Sequence, residues 1–312
     1  MPATVFYLLR HAPALAPGFS NRERPLTPEG WRQARALAPF LRGLNPDACY
    51  ASPYRRAQDT LAPLTADGPP LRRREGLRES AADEKLPQVR RRMVECLRAL
   101  HRDHGGQTLL LCTHGGCLWS VLKHFAEDSL FADYGEITSP DLKRVVWDDN
   151  PYFDLDFDSE WTARTHIEGS PAFGRLHALY AYRSRPGGYA IVRDDQGRVA
   201  VVEAGGDLHL PGGGVDPGES PAAATKREFL EECGLGVDLD LPLGQAHQYV
   251  YSTAEARPFR KECFYFSGHL NGIRRPPTEA DHRLHWLSPE RVVAEFCHGA
   301  HSWALRRHLA DA

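Results

Sequence analysis

The segment GGVDPGESPAAATKREFLEECGL, Gly213 to Leu235, decides how the C-terminal half of the chain is read. Ser220-Pro221 is a helix opening: the serine oxygen can cap orphan amides, and proline suits the first helical position. Gly234 is the matching stop. Between them Glu228, Glu231 and Glu232 fall at i, i+3 and i+4, which places three carboxylates on one helix face. Ala222, Phe229 and Cys233 lie on the opposite face and give the helix an apolar side to bury. Like charges at this spacing repel by a few tenths of a kcal/mol per pair, and a hard divalent cation with oxygen ligands would relieve them. Just upstream, Leu208 to Pro211 reads as a short strand. It runs into Gly212-Gly213-Gly214, where backbone without side chains can approach a cation or a phosphate closely.

Outward from this segment the C-terminal half is strand-rich. Gly188 to Val192 and Val199 to Glu203 alternate around Asp194-Asp195-Gln196-Gly197, the turn residues of a hairpin. Further strands are expected at about His247 to Ser252 and Glu262 to Ser267. Trp286-Leu287 is a strand, and Ser288-Pro289-Glu290 opens a capped final helix. Glu262 and Glu279 are the acids outside the central segment that could join its carboxylates. An ordinary surface glutamate is the competing reading of each.

The N-terminal half alternates strands with helices. Thr4 to Leu9 is a buried first strand ending at Arg10-His11. Thr27-Pro28 caps and opens a helix through about Leu41. Residues 47–51 form a second strand, and Ser52-Pro53 starts a helix carrying Arg55 and Arg56. Another helix runs from about Leu86 to His104. Thr108 to Cys112 is a third strand, stopped by Thr113-His114-Gly115-Gly116 ahead of a helix from Cys117 to about Ala126. The aromatic stretch Asp148 to Asp154 is expected to be the last strand and the edge of the sheet. Polar residues just after strand ends indicate an open α/β sheet whose ligand site lies at the strand carboxyl ends. Two histidines and two arginines gathered there would make a phosphate site with a nucleophile in it. Arginines bind phosphoryl oxygens as bidentate donors, and an imidazole can take the phosphoryl group covalently.

Composition limits the remaining choices. A chain of 312 residues favours two domains, each able to bury a core. The formal net charge of −3 implies no polyanionic partner, and specific nucleic-acid binding is not expected. The seven cysteines are odd in number and lack a CxxC pair, which argues for a reducing cytoplasm and against a disulfide framework or zinc site. No run is long enough to span a membrane, and charge arrives too soon after the N-terminus for a signal peptide.

Gly213, Glu219 and Arg227-Glu228-Phe229-Leu230-Glu231-Glu232-Cys233-Gly234-Leu235 resemble the Nudix hydrolase box with every defining position filled. Seven such positions at roughly 7% usage each coincide by chance about once in 10⁸ sites. The resemblance implies an α/β/α sandwich over residues 161–312 and hydrolysis of a phosphoanhydride assisted by Mg²⁺ or Mn²⁺. By it Glu228, Glu231 and Glu232 are metal ligands, with the Gly212 carbonyl and Glu219 in support, and Arg227 orients a glutamate. Tyr251, with Tyr249, stands at about the distance after the box where dinucleoside polyphosphate hydrolases place a base-stacking tyrosine. A half-buried strand aromatic is the competing reading.

Residues 1–160 resemble the histidine phosphatase superfamily, a phosphoglycerate mutase-like α/β sheet domain. The resemblance is carried by Leu9-Arg10-His11-Ala12, Leu26 to Gly30 with Gln33-Ala34, Ser52-Pro53 with Arg56-Ala57 and Thr60, Leu77-Arg78-Glu79, and Thr113 to Gly116. It implies that His11 becomes phosphohistidine without a cofactor, that Arg10, Arg56 and His114 hold the phosphoryl group, and that Glu79 gives a proton to the leaving oxygen. Glu75 and Glu84 lie close enough in sequence to compete for that last role. Ala12 and Ala14 depart from the family's commoner glycine and threonine. With a linker at about 159–174, the chain reads as a cytoplasmic bifunctional phosphohydrolase acting on small phosphorylated molecules, nucleotides above all. The alternative is a Nudix pyrophosphohydrolase whose N-terminal half serves dimerisation, giving a homodimer, or regulation.

Overall fold

The computed structural model describes residues 1–15, 20–125, 141–157, 166–167, 170–177, 180–279 and 281–310. The chain divides into two units, Met1–Glu168 with Arg175–Leu179 and Gly169–Gly174 with Tyr180–Ala312. Much of the expected linker, 158–165 and 168–169, lies outside the described residues.

In the first unit the elements run β1 (Thr4–Arg10), α1 (Pro28–Gly43), β2 (Ala48–Ala51), α2 (Arg55–Thr65), β3 (Leu71–Arg73), α3 (Leu86–Asp103), β4 (Thr108–Thr113), α4 (Gly115–Phe125), β5 (Leu142–Trp147), β6 (Tyr152–Asp154) and β7 (His166–Ile167). Strands β1, β4, β2 and β3 are parallel neighbours in that order. Their apolar runs are continuous because helices cover a parallel sheet on both faces. Leu9, Leu110, Cys112, Cys49 and Ala51 pack with Leu37, Leu41, Leu61 and Leu64 of α1 and α2 in one such layer. Helix α1 starts as its sequence dictates, with Thr27 Oγ1 accepting from the Gly30 amide at 2.9 Å.

Two expectations for this unit need correction. Leu142–Trp147, not anticipated as a strand, pairs antiparallel with β1. The Tyr152–Asp154 strand is interior, since Arg175–His177 pairs beyond it. Helix α4 begins at Gly115, two residues before the expected start, and its expected end at about Ala126 lies outside the described residues.

The second unit contains β8 (Ser170–His177, of which residues up to Gly174 belong here), β9 (Arg183–Val192), β10 (Val199–Ala204), β11 (Asp207–His209), β12 (Gly212–Gly214), α5 (Pro221–Cys233), β13 (Leu235–Ser252), β14 (Arg257–Arg274), β15 (Arg283–Leu287), α6 (Pro289–Glu295) and α7 (Gly299–Ala310). One sheet orders β12, β9, β14, β13 and the start of β8, and a second orders β11, β10 and β15. Ala190 and Val192 of β9, with Ala200 and Val202 of β10, pack against Phe229 and Cys233 of α5. The alternate residues Tyr189, Ile191, Val199 and Val201 pack against Val292 of α6 and Ala304 and Leu305 of α7. Both sheets are therefore sandwiched between α5 and the C-terminal helices.

The expected hairpin is corrected by this arrangement. The turn forms, with the Gly197 amide donating to the Asp194 carbonyl at 2.9 Å, but only Arg193 and Val199 bridge the strands, which belong to different sheets. Turn chemistry was legible in the sequence. Sheet membership was not, because strands buried on both faces show no alternation to assign their partners. Strands β13 and β14 are also far longer than expected, 18 residues each, with register shifts where Leu239, Pro242 and Gly244 would have broken a regular ladder.

Candidate functional site

In the first unit the sheet register assembles the polar cluster. Arg10 is opposite Thr113 on the adjacent parallel strand, the His11 amide donates to the Thr113 carbonyl at 3.1 Å, and the Ser52 amide donates to the Cys112 carbonyl at 2.9 Å. The C-terminal ends of β1, β4 and β2 therefore present His11, His114 and Ser52 together. The His11 and His114 rings meet edge to face, centroids 5.1 Å apart. His114 Nε2 lies 2.8 Å from Ser52 Oγ, and its Nδ1 is 3.2 Å from Glu79 Oε2.

Arg56, 2% exposed, binds three groups at once. Its Nε donates to His11 Nε2 at 3.0 Å, Nη1 to the Asn21 carbonyl at 2.7 Å and Nη2 to Glu79 at 3.2 Å. His11 Nδ1 is 2.8 Å from the Ala12 carbonyl and so carries the proton, which leaves the Nε2 lone pair facing the arginine. Ala12 keeps an ordinary backbone angle, and its amide donates to Thr60 Oγ1 at 3.0 Å. Arg10 lies over Gly115, where a Cβ would come within 3.3 Å of its Nε. That Nε is buried with no hydrogen-bond partner among the described residues. Helix α4 starts beside it, and the amides of a helix's first turn make a natural anion cradle.

Burial, helped by the neighbouring His114 and the arginines, pushes His11 down to about 3, so the imidazole is neutral at physiological pH. Burial likewise lowers His114, against the pull of Glu79. For Glu79 burial acts upward, yet His114, Arg56 and the Ser80 amide outweigh it and bring the carboxyl to about 2. With His114 neutral, the Arg56 guanidinium is the charge that keeps Glu79 ionised. A phosphoryl dianion bound here would oppose that effect and favour the protonated carboxyl. The three glutamates near this site separate cleanly. Glu84 is held by Arg78 and Arg92, Glu75 pairs with exposed Arg22, and only Glu79 reaches the histidines.

In the second unit α5 is capped as its sequence implies, Ser220 Oγ accepting from the Ala223 amide at 3.2 Å and Gly234 closing it at φ 67°. Its buried side includes Ala224 and Thr225 as well as Phe229 and Cys233, while Ala222 is not buried. Glu228 and Glu232 line a pocket of about 380 Å³ together with Gly212, Gly213, Gly214, Glu279 and His282. The Gly212 amide donates to Glu232 at 2.8 Å. Arg227 gathers the acids from behind: it holds both Glu219 oxygens at 2.9 and 3.1 Å, Glu228 at 2.8 Å and Glu231 at 3.1 Å, and also reaches the Gly214 carbonyl. Glu219 and Glu231 do not line the pocket.

Glu279 and His282, absent from the helix pattern, complete the acidic wall: His282 Nδ1 is 2.5 Å from Glu279 and 3.3 Å from Glu232. Glu262, the other acid outside the central segment, instead binds Ser184 and Arg260. His282 was missed, and its spacing of three residues after Glu279 was the available signal. Tyr251 is 49% exposed and lies against Tyr180, away from this pocket, and Tyr249 is buried under Tyr182.

Burial, reinforced by Glu228, Glu279 and Glu231, pushes Glu232 up to about 8 against the Gly212 amide. Carboxylates that raise one another in a pocket of oxygen donors suit a hard divalent cation. None of the seven cysteines forms a disulfide, and no helix among the described residues is long and apolar enough to cross a membrane.

Comparison with known proteins divides the chain in the same two parts. The model of the histidine phosphatase superfamily (branch 1) matches residues 6–84 and 80–149, and that of the NUDIX domain matches 183–308. A putative 8-oxo-dGTP diphosphatase of Bacillus subtilis is 33% identical over 110 residues, 34% of this chain and 68% of the relative. Among solved structures, a phosphoserine phosphatase variant from Entamoeba histolytica in complex with phosphoserine covers 48% of this chain and 94% of its own, at 16% identity and a TM-score of 0.43. A NUDIX hydrolase from Nitrosomonas europaea covers 41% and 90%, at 21% identity and a TM-score of 0.36.

Proposed function

Because the chain belongs to the histidine phosphatase superfamily in its N-terminal part and to the Nudix family in its C-terminal part, and is thus a phosphohydrolase, we propose that it is bifunctional. The Nudix part hydrolyses a nucleoside-linked phosphoanhydride, such as a nucleoside triphosphate or dinucleoside polyphosphate. The N-terminal part removes phosphate from a monoester through phosphohistidine. The relative from Bacillus subtilis supports a nucleotide as the anhydride substrate, and the seven free cysteines support a cytoplasmic setting.

In the first unit Arg10 and Arg56 would bind the phosphoryl oxygens, with the α4 amides beside them. Such a group satisfies the unpaired Arg10 Nε and draws Arg56 from His11, freeing the Nε2 lone pair. Nε2 then attacks phosphorus as the ester oxygen leaves with a proton from Glu79, and water cleaves the phosphohistidine in a second step. The Ala12 carbonyl holds the Nδ1 proton throughout. In the second unit Glu228 and Glu232, with the Gly212 carbonyl and Glu279 beside them, would hold Mg²⁺ or Mn²⁺, and Glu231, held by Arg227 outside the pocket lining, would turn in to join them. A bound ion there supplies charge neutralisation for the diphosphate and an acidified water. Arg227 restrains Glu228 and Glu231 against their mutual repulsion.

The bifunctional reading is favoured over a scaffold role by one observation: His11 is buried, neutral and fixed in the tautomer that turns its Nε2 lone pair to Arg56, with Arg10 nearby. Brief exposure to labelled phosphomonoesters should yield an acid-labile, base-stable phosphoenzyme that His11→Gln abolishes. No labelling across a broad monoester panel would leave only the Nudix activity. Glu231→Gln with Glu232→Gln should eliminate Mg²⁺-dependent anhydride hydrolysis and spare the monoesterase, and parallel loss of both would show the chemistry to be wrongly divided.

A further inference from the structure

The pocket of the second unit is lined by two chemically opposite groups: the acids Glu228, Glu232 and Glu279, and the bases Lys261, His209 and His301. Lys261 has no carboxylate within ion-pair distance among the described residues. Its Nζ is 3.4 Å from His298 Nε2. Arg185, which also lines the pocket, is already paired with Glu255 at 2.8 Å. The imidazoles of His209, His298 and His301 cluster beside the lysine, with centroids 5.3 to 6.1 Å apart. His301 is 1% exposed. Its Nδ1 meets the Tyr265 hydroxyl at 3.2 Å, and its Nε2 has no partner among the described residues.

A part-buried cation without a counter-charge and a buried unpaired imidazole nitrogen are both costly, and one ligand would relieve both. Burial first, and then the Lys261 charge, hold His209 at about 4 and His298 at about 3, so neutral imidazoles surround a single cation. A metal ion on His209, Cys297 and His298 would have to displace the ammonium from His298, which repels it. A planar carboxylate is matched best by an arginine fork, whereas a lysine point charge with separate imidazole donors suits a tetrahedral oxyanion with acceptors in several directions.

Building on the Nudix reading above, we propose that Lys261, His209 and His301 together bind a phosphoryl group of the substrate outside the metal-bound diphosphate. The preferred anhydrides then carry at least three phosphates, as nucleoside triphosphates and dinucleoside polyphosphates do. Nucleotide sugars, with only the bridging diphosphate, leave this group unsatisfied.

The binding step is tested on the full chain without turnover, by titrating inorganic triphosphate in EDTA and following the ring resonances of His209, His298 and His301. A saturable shift is expected in the wild type, lost in Lys261→Met and retained in Lys261→Arg, which keeps the charge. No shift in the wild type, or an equal one in Lys261→Met, overturns the assignment. With Mg²⁺, Lys261→Met should lower the kcat/KM ratio of a nucleoside triphosphate to a nucleotide sugar by about 10- to 100-fold, the loss expected for a charge-assisted contact. An unchanged ratio overturns the substrate preference. Absence of any Mg²⁺-dependent hydrolysis in the wild type would instead remove the Nudix reading, and the metal-free shift would still report on the anion site.

Discussion

At the scale of residues, the N-terminal site depends on a histidine kept uncharged. In an unfolded chain His11 titrates near 6.5, and in the folded protein it is pushed down to about 3. Between those values the unfolded state takes up a proton that the folded state refuses. Stability from this group is therefore complete above about pH 6.5 and is lost as pH falls toward 3, by up to roughly 4 kcal/mol. His11→Gln, which keeps an acceptor for Arg56 but cannot titrate, should lose less stability than the wild type between pH 7 and pH 4 in urea unfolding. Equal losses would mean that the folded protein accepts the proton. Arg10, His11 and His114 were legible in sequence because each stands at or just after a strand end. The choice of Glu79 over Glu75 and Glu84 was not, since Arg22, Arg78 and Arg92 claim the other two through contacts that short-range pattern cannot reveal. Lys261, His298 and His301 carry no comparable local signal: charged residues are spread among the aromatics of β14 and along α7, His298 lies just before that helix, and only packing reveals which polar side chains converge.

At the scale of elements, the glycines around α5 perform two different tasks. A Cβ on Gly188 would meet the Pro221 carbonyl and Thr225 Oγ1 at 2.3 Å each. Backbone cannot yield as a side chain does, so Gly188→Ala should push α5 from β9 and cost about 2–3 kcal/mol. A Cβ on Gly213 would instead meet the Glu228 carboxylate at 2.6 to 2.8 Å, the mobile end of a side chain. Gly213→Ala should leave the melting temperature nearly unchanged while displacing that carboxylate and weakening Mg²⁺ binding by about 10- to 100-fold. Thermal unfolding beside a Mg²⁺ titration separates the two, and an equal loss of stability in both variants would refute the distinction. The helix itself could be read from sequence because its caps and carboxylate spacing are local. The glycine contacts could not, because they involve partners more than ten residues away.

At the scale of the whole molecule, each candidate site draws its described side chains from one unit, and the two call for opposite dependence on metal. EDTA should stop anhydride hydrolysis and leave the monoesterase intact, while vanadate, a mimic of the phosphoryl transition state, should do the reverse. The chemistry also permits a sequence, since anhydride cleavage at a nucleotide yields the monoester that a phosphohistidine site consumes. Direct transfer is a separate question, and intact chains can answer it. An equimolar mixture of His11→Gln and the Glu231→Gln, Glu232→Gln double variant contains both activities on different molecules. At equal concentrations of each working site, and substrate below saturation, we expect the mixture to match the wild type in the rate of final phosphate release and in the lag before it, because each site draws its described side chains from one unit. A longer lag in the mixture would require the intermediate to pass between sites of one chain before reaching solvent. That result would make the fusion a kinetic device, whereas matching lags leave it as a means of producing two enzymes in fixed proportion.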